Sequence, residues 1–325
     1  MKAQVSTPRH SVILVGLGFI GYKADVGKRD VIFSHARAIL AHEKFDLIAA
    51  IDSNPEVRRD FSTRFNIPTF ASVREIPFSG SPAVVVVATP TKLHCSVIAE
   101  ILKVIKPKFI LCEKPLCENI EQAAQIIRAC EENDVLLLVN FMRRADRAVA
   151  AVRQRILTGE IAQPIKGFVW YSKGLFHNGS HFFDLLKFWL GKIKDGRVIA
   201  DGRLWGGIDP EPDLVVQFER GSVIFQSAWE EAFSHYTIEL LSPEGRLRYD
   251  AGGEEVLWYP VINSAQFSEY RVLSAAPVRL ANDFSRYMLY VYKELDRALA
   301  GQKCNLTTGQ EAIETVLDMQ RLIRG

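Results

Sequence analysis

Gly16-Leu17-Gly18-Phe19-Ile20-Gly21 directly follows an apolar run at 11–15. One glycine in the tight turn, and another where the backbone nears a diphosphate, let a helix N-terminus face an anion. The spacing alone is weak evidence; its place at the end of a strand-like run gives it weight. Asp52 closes a second apolar run, Leu47-Ile48-Ala49-Ala50-Ile51, with Ser53 beside it. A carboxylate there accepts hydrogen bonds from the adenosine ribose and repels a 2′-phosphate, which points to NAD. Asp52 lies farther from the glycines than the usual spacing of about 20 residues. A polar insertion at 23–30 accounts for the excess. The competing reading makes Asp52 only the cap of a helix starting near Pro55.

Ala88-Thr89-Pro90-Thr91-Lys92-Leu93-His94 and Cys112-Glu113-Lys114-Pro115-Leu116 each follow a further apolar run. In an open α/β sheet, ligands sit at the carboxyl ends of strands. Thr89, Pro90, His94, Glu113 and Lys114 therefore join the glycines, Phe19, Ile20, Asp52 and Ser53 as expected cofactor contacts. A lysine held at such an end works as acid or base when its surroundings lower its pKa. By itself, Lys114 reads equally well as a surface lysine before a proline turn. Asn140-Phe141-Met142-Arg143-Arg144 and His177-Asn178-Gly179-Ser180-His181-Phe182-Phe183-Asp184 are the other polar groups placed to meet a ligand.

The elements that must position these residues alternate through the first half. Runs at 11–15, 46–51, 83–88, 109–112 and 135–139 suit strands buried on both faces. Stretches at 35–44, 55–65, 94–104 and 120–133 read as amphipathic helices between them. Strand and helix in alternation mean a doubly wound parallel sheet of Rossmann type, over residues 1–120. Residues 121–325 read as a second domain, in which sequential strands with few helices between them suggest an antiparallel or mixed sheet. Its strand candidates are 165–171, 214–218, 223–228, 236–241 and 256–261, and its helices are 181–190, 283–299 and 309–323. The segment Asp209-Pro210-Glu211-Pro212-Asp213 reads as turn punctuation.

Composition narrows the function class. With 325 residues the chain exceeds what one core usually holds. Lys and Arg number 40 against 38 Asp and Glu, and this near-neutrality argues against nucleic acid as partner. The apolar runs are far too short to span a membrane. Residues 1–5 lead into a run too short for a signal-peptide core, so the expectation is a cytoplasmic protein. The five cysteines lack metal-ligand spacing and are expected to be reduced, mostly buried thiols with no metal.

With Gly16–Gly21, Thr89-Pro90 to His94, Glu113-Lys114-Pro115 and His181-Phe182-Phe183-Asp184 in this order, the chain resembles the Gfo/Idh/MocA oxidoreductases. The resemblance implies a Rossmann domain, a C-terminal α/β domain with a large, open, mostly antiparallel sheet, and NAD as cofactor. It also implies that Lys114 and His181 handle a proton while the nicotinamide takes or gives hydride. Asn140 and Arg144 become substrate contacts, against the reading that the arginines only decorate a helix start. The family commonly has an Asp four residues before the histidine, where this chain has His177. Members acting on nucleotide-linked sugars resemble it in often lacking that Asp. His177 is then a substrate contact, a replacement partner or a loop residue, and Asn178 accompanies it. Asp184 is either a partner of His181 or a helix-surface acid.

The implied function is NAD-dependent oxidation of a secondary hydroxyl of a sugar, such as a UDP-N-acetylhexosamine at its 3-position. A free sugar or inositol is the alternative substrate. A non-catalytic dinucleotide-binding regulator is the rival class, and a pure binder has no need of Lys114 or His181. A homo-oligomer, dimer or tetramer, through the second domain's sheet is also implied.

Overall fold

The structure, a computed structural model, describes residues 9–77 and 80–324. The segment 1–5 lies outside the described residues. The chain divides into two compact units, one comprising residues up to Met142 with Ser285–Ile313, the other Arg143–Phe284 with the last helix's remainder. Residues 121–142 thus group with the first unit, whereas the sequence placed the division at 120.

The first unit begins with β1 (His10–Val15), α1 (His35–Ala41), β2 (Phe45–Ile51), α2 (Pro55–Phe65) and β3 (Thr69–Phe70). It continues with β4 (Val84–Val87), α3 (Thr91–Val104), β5 (Phe109–Cys112), α4 (Ile120–Glu132) and β6 (Leu136–Val139). These strands lie in the order β3-β2-β1-β4-β5-β6, all parallel. The order reverses between β1 and β4, the switch point at which such sheets bind ligands. All four valines of β4 are fully buried, as a strand covered on both faces requires. The caps are local: Asn54 accepts the Glu56 and Val57 N–H groups at α2, and Asn119 those of Glu121 and Gln122 at α4.

The second unit holds α5 (Arg147–Thr158), β7 (Ile165–Tyr171), α6 (Ser180–Leu190), β8 (Ile193–Trp205), β9 (Asp209–Phe218) and β10 (Gly221–Ser227). Then come β11 (Tyr236–Ser242), β12 (Gly245–Asp250), β13 (Glu255–Asn263), β14 (Arg271–Leu273) and β15 (Val278–Arg279). The sheet runs β14-β13-β12-β11-β7-β10-β9-β8, with β15 beside β13 and the β7–β10 pair parallel within an otherwise antiparallel ladder. Helix α6 packs its apolar length on this sheet; Phe183 stacks on Phe225 of β10 at 4.5 Å between ring centres. The chain then returns to the first unit with α7 (Tyr287–Leu299) and β16 (Thr307–Thr308), which pairs antiparallel with β6. The last helix, α8 (Gly309–Arg324), starts in the first unit and ends in the second.

Two expectations are corrected. Asp209–Asp213 is the start of β9, not a turn. It pairs with β8, whereas β10 meets β9 only from Leu214 onward, so prolines without an N–H are accommodated on that unpaired side. The cysteines are not all reduced: Cys95 of α3 and Cys117 beyond Lys114 form a disulfide. They are 22 residues apart, and only the adjacency of β4 and β5 brings their segments together. Cys112, Cys130 and Cys304 remain thiols. Thiol titration of the unfolded protein, purified without reductant, is expected to find these three; a count of five would remove the disulfide.

Candidate active site

In the first unit the site is built at the carboxyl ends of β1, β2, β4, β5 and β6. Gly16 has a φ of +99°, and a Cβ there would lie 2.5 Å from the Ala88 carbonyl oxygen just beyond β4. A Cβ on Gly21 would collide with the Gly16 carbonyl oxygen. These two glycines let the turn fold onto the sheet edge. Gly18 is different, since a Cβ there would meet nothing within 4 Å. The N–H groups of Gly18, Phe19 and Ile20 donate to no other described residue, which leaves backbone donors at an open turn.

Asp52 reaches this turn directly. Its Oδ2 accepts the Leu17 N–H at 2.8 Å and its Oδ1 accepts the Asn54 N–H at 2.9 Å. Asn54 is the cap of α2, so the competing reading of Asp52 as that cap does not describe the structure. An open turn, backbone donors and a carboxylate at the end of β2 fit a dinucleotide: the donors suit its diphosphate and Asp52 suits a ribose diol. Ser53 is exposed beside them.

The loops after β4 and β5 are tied together by His94, which is 1% exposed. Its Nε2 lies 2.8 Å from the Thr89 carbonyl oxygen, and its Nδ1 lies 3.0 Å from that of Pro115. His94 thus braces Thr89-Pro90 against the segment carrying Glu113 and Lys114. Asn140, just past β6, is buried and donates through Nδ2 to Glu113 Oε1 at 2.6 Å. Burial pushes the Glu113 carboxyl up, but hydrogen bonds from His35 and Asn140 outweigh this and hold it below its usual range.

The second unit holds a cluster of its own. Lys173 and Gly174 both have positive φ, and Gly174 starts a π-helical turn, Gly174–Gly179, that leads into α6. A side chain on Gly174 would occupy the place of the Asp209 carboxylate. That carboxylate accepts the N–H groups of Phe176 at 3.0 Å and His177 at 2.8 Å. Burial pushes the Asp209 carboxyl up. Two residues on, Glu211 is fully buried, accepts the Gly174 N–H at 3.0 Å and pairs with Arg203 at 2.8 Å. Asp209 and Glu211 were absent from the sequence candidates, although their alternation at a two-residue period is a strand signal.

His177 is exposed, and its ring stacks on Trp205 at 5.1 Å. His181, buried in the first turn of α6, has its ring 6.3 Å from that of Tyr236. The Tyr236 hydroxyl donates to Asn178 Oδ1 at 2.5 Å, and Phe182 stacks on the Tyr236 ring. Arg144 and Asp184 form a buried two-pronged ion pair at 2.9 and 2.7 Å, so Asp184 is not a helix-surface acid. Arg143 stands apart from that pair. Its guanidinium lies 4.5 Å above the Tyr236 ring, with Nε and Nη1 buried and hydrogen-bonded to no described residue. Among the described residues no group of histidines, cysteines and carboxylates is placed to hold a metal.

Comparison with known proteins agrees with this geometry. Residues 11–141 match GFO_IDH_MocA, described as "Oxidoreductase family, NAD-binding Rossmann fold". The chain is 34% identical to a scyllo-inositol 2-dehydrogenase (NAD(+)) of Bacillus subtilis over 33% of its own length and 35% of that protein. It is 24% identical to a levoglucosan dehydrogenase of Pseudarthrobacter phenanthrenivorans, over 74% and 73% of the two chains. The first curated relatives are matched over only about a third to a half of their length. Among solved structures, the WlbA dehydrogenase of Bordetella pertussis, in complex with NADH and UDP-GlcNAcA, superposes with a TM-score of 0.71. That match covers 98% of this chain and 96% of the other at 18% identity, so it speaks for the fold. Over residues 11–141 the chain is thus similar to the NAD-binding Rossmann domain of the Gfo/Idh/MocA oxidoreductases.

Proposed function

We propose that this chain is an NAD-dependent dehydrogenase that oxidises a secondary hydroxyl of a sugar, and that the sugar is a nucleotide-linked amino sugar. The observation that carries the reading is the gathering of the Gly16–Gly21 turn, Asp52 and Lys114 at the carboxyl ends of one parallel sheet. The residues that would hold NAD are the turn amides and Asp52, with Ser53, Thr89 and Pro90 at the same sheet edge. Asp52 favours a ribose diol over a 2′-phosphate, hence NAD over NADP. When bound, the nicotinamide supplies the hydride acceptor. Lys114 removes the hydroxyl proton through Nζ, and His181 assists in handling it.

Arg143 supports a nucleoside diphosphate on the substrate. A guanidinium matches phosphate oxygens bidentately. Arg144 is held by Asp184, whereas two nitrogens of Arg143 have no described acceptor. The bound UDP-GlcNAcA of the WlbA neighbour points the same way. The likeness to scyllo-inositol 2-dehydrogenase favours a second reading, a free polyol as substrate, but it covers only a third of the chain. Following NADH formation with UDP-linked N-acetylhexosamines, free sugars and inositol separates the two. Turnover is expected with a UDP-linked sugar, and Lys114→Ala should lower kcat about a hundredfold with NADH affinity little changed. Turnover of inositol or free sugars alone would reject the nucleotide sugar; full activity in Lys114→Ala would reject the role of the lysine.

Self-association through the second unit's sheet belongs to the same proposal. Trp170, Ile224 and Leu241 are exposed, and the β7–β10 and β7–β11 registers put them on one sheet face with Phe168. An apolar face of this kind marks an interaction surface. Sedimentation equilibrium is expected to give a dimer or tetramer, reduced to monomer by Trp170→Asp with Leu241→Asp. A monomeric wild-type protein would contradict it.

A further inference from the structure

The polar insertion between the glycine turn and α1 is a built loop. The Tyr22 and Ala24 N–H groups donate to the Gly18 and Phe19 carbonyl oxygens, which starts a helix at the turn. Those of His35 and Ala36 donate back to Ile20 and Gly21 at 3.0 and 2.9 Å. The chain therefore leaves this helix after Ala24 and rejoins it at His35, with the intervening residues looped out. Buried Asp25 closes the loop: its Oδ2 accepts the Phe33 and Ser34 N–H groups at 2.8 Å, and its Oδ1 accepts the Ser34 hydroxyl. Arg37 of α1 donates to the Asp25 and Lys28 carbonyl oxygens at 3.3 and 2.7 Å.

Against α1 and α2 the loop encloses a cleft of about 550 Å³, a size within the range of small-molecule sites. Lys28, Arg29, Arg37 and Arg64 line it, with Leu40 and Phe65 as apolar walls. Asp25, the acid in its lining, is already bonded within the loop. Lys28, Arg29 and Arg64 pair with no carboxylate among the described residues. The Lys28 ammonium lies 5.4 Å from the centre of the Phe33 ring, and Arg64 stands beside the Tyr22 hydroxyl, which donates to Asp60. Cations gathered without counter-charges repel one another, and an anion between them relieves this. The carboxyl end of α2 weakly favours a cation, which accounts for Arg64. It does not account for Lys28 and Arg29, which the loop carries. A helix that follows a strand starts at the sheet's carboxyl edge, so Leu40, Arg64 and Phe65, at the far ends of α1 and α2, lie away from the dinucleotide turn.

We propose that this cleft is a second ligand site, for a small phosphate monoester. Lys28, Arg29 and Arg64 hold the phosphate, since guanidinium groups match its oxygens bidentately. Leu40 and Phe65 cover the apolar body of the ester. The site does not depend on which sugar the protein oxidises.

The measurement is isothermal titration of the NADH-saturated protein with phenyl phosphate, and with inorganic phosphate and phenol alongside. Saturating NADH keeps these probes out of the glycine turn. One phenyl phosphate per chain is expected, bound about tenfold or more tighter than either inorganic phosphate or phenol. Added salt should weaken it, because the cations that hold it are exposed. Arg29→Ser with Arg64→Ser should weaken it about tenfold or more, with melting temperature and NADH affinity unchanged. No saturable binding of phenyl phosphate, or equal binding by the folded double variant, would overturn the site. Binding that NADH abolishes would put the phosphate in the dinucleotide turn and overturn it as well. Inorganic phosphate binding as tightly as phenyl phosphate would overturn the ester. If NADH itself fails to bind, the dehydrogenase reading falls, and the double variant still decides this site.

Discussion

The first unit depends on backbone approaching backbone with no room for a side chain. At Gly16 the turn after β1 lies against Ala88, and at Gly21 the chain passes back over Gly16. Even one methyl group at either position would push the turn off the sheet edge. Because the approach is made, the Leu17 N–H meets the Asp52 carboxylate, and the switch point between β1 and β4 keeps an open turn above it. The same sheet edge then receives Glu113 and Lys114 after β5 and Asn140 after β6. The His94 ring and the Cys95–Cys117 disulfide both fasten the loop after β5 to α3.

The second unit solves a comparable problem with charge. Its π-helical turn before α6 leaves backbone N–H groups without helical partners, and Asp209 and Glu211 reach across from β9 to accept them. Buried acceptors of this kind are costly unless fully bonded, so they specify one conformation of the turn. The Arg144–Asp184 pair fixes the segment before α5 to α6 in the same way. Breaking such a pair leaves a buried charge and costs about 3–5 kcal/mol, although the pair itself adds little net stability.

Much of this was readable from residue order. Continuous apolar runs marked β1, β2, β4, β5 and β6, and α2 occupies the 55–65 that its period indicated. Where reading failed, the cause was physical. β8 is hard to see because its 13 residues are mostly exposed and interrupted by glycines, so no two-residue hydrophobic period survives. Asp209–Asp213 looked like a turn because proline and acidic residues usually punctuate, and only pairing on a single side makes a strand of it. The disulfide, the Arg144–Asp184 pair and the His35–Glu113–Asn140 network join residues far apart in sequence, and no local spacing signals them. The cap of α2 was assigned to Asp52 in one reading, but Asn54, two residues on, holds that place.

The proposed function requires the turn above Gly18 to stay open for a dinucleotide diphosphate. Gly18→Val tests it most directly, because the added side chain meets no protein atom near its Cβ and would fill only the ligand's place. NADH affinity and the melting temperature of the ligand-free protein are measured together for both forms. An unchanged melting temperature is expected, with NADH affinity weakened tenfold or more, at least about 1.4 kcal/mol. Undiminished NADH binding by a normally folded Gly18→Val protein would contradict it.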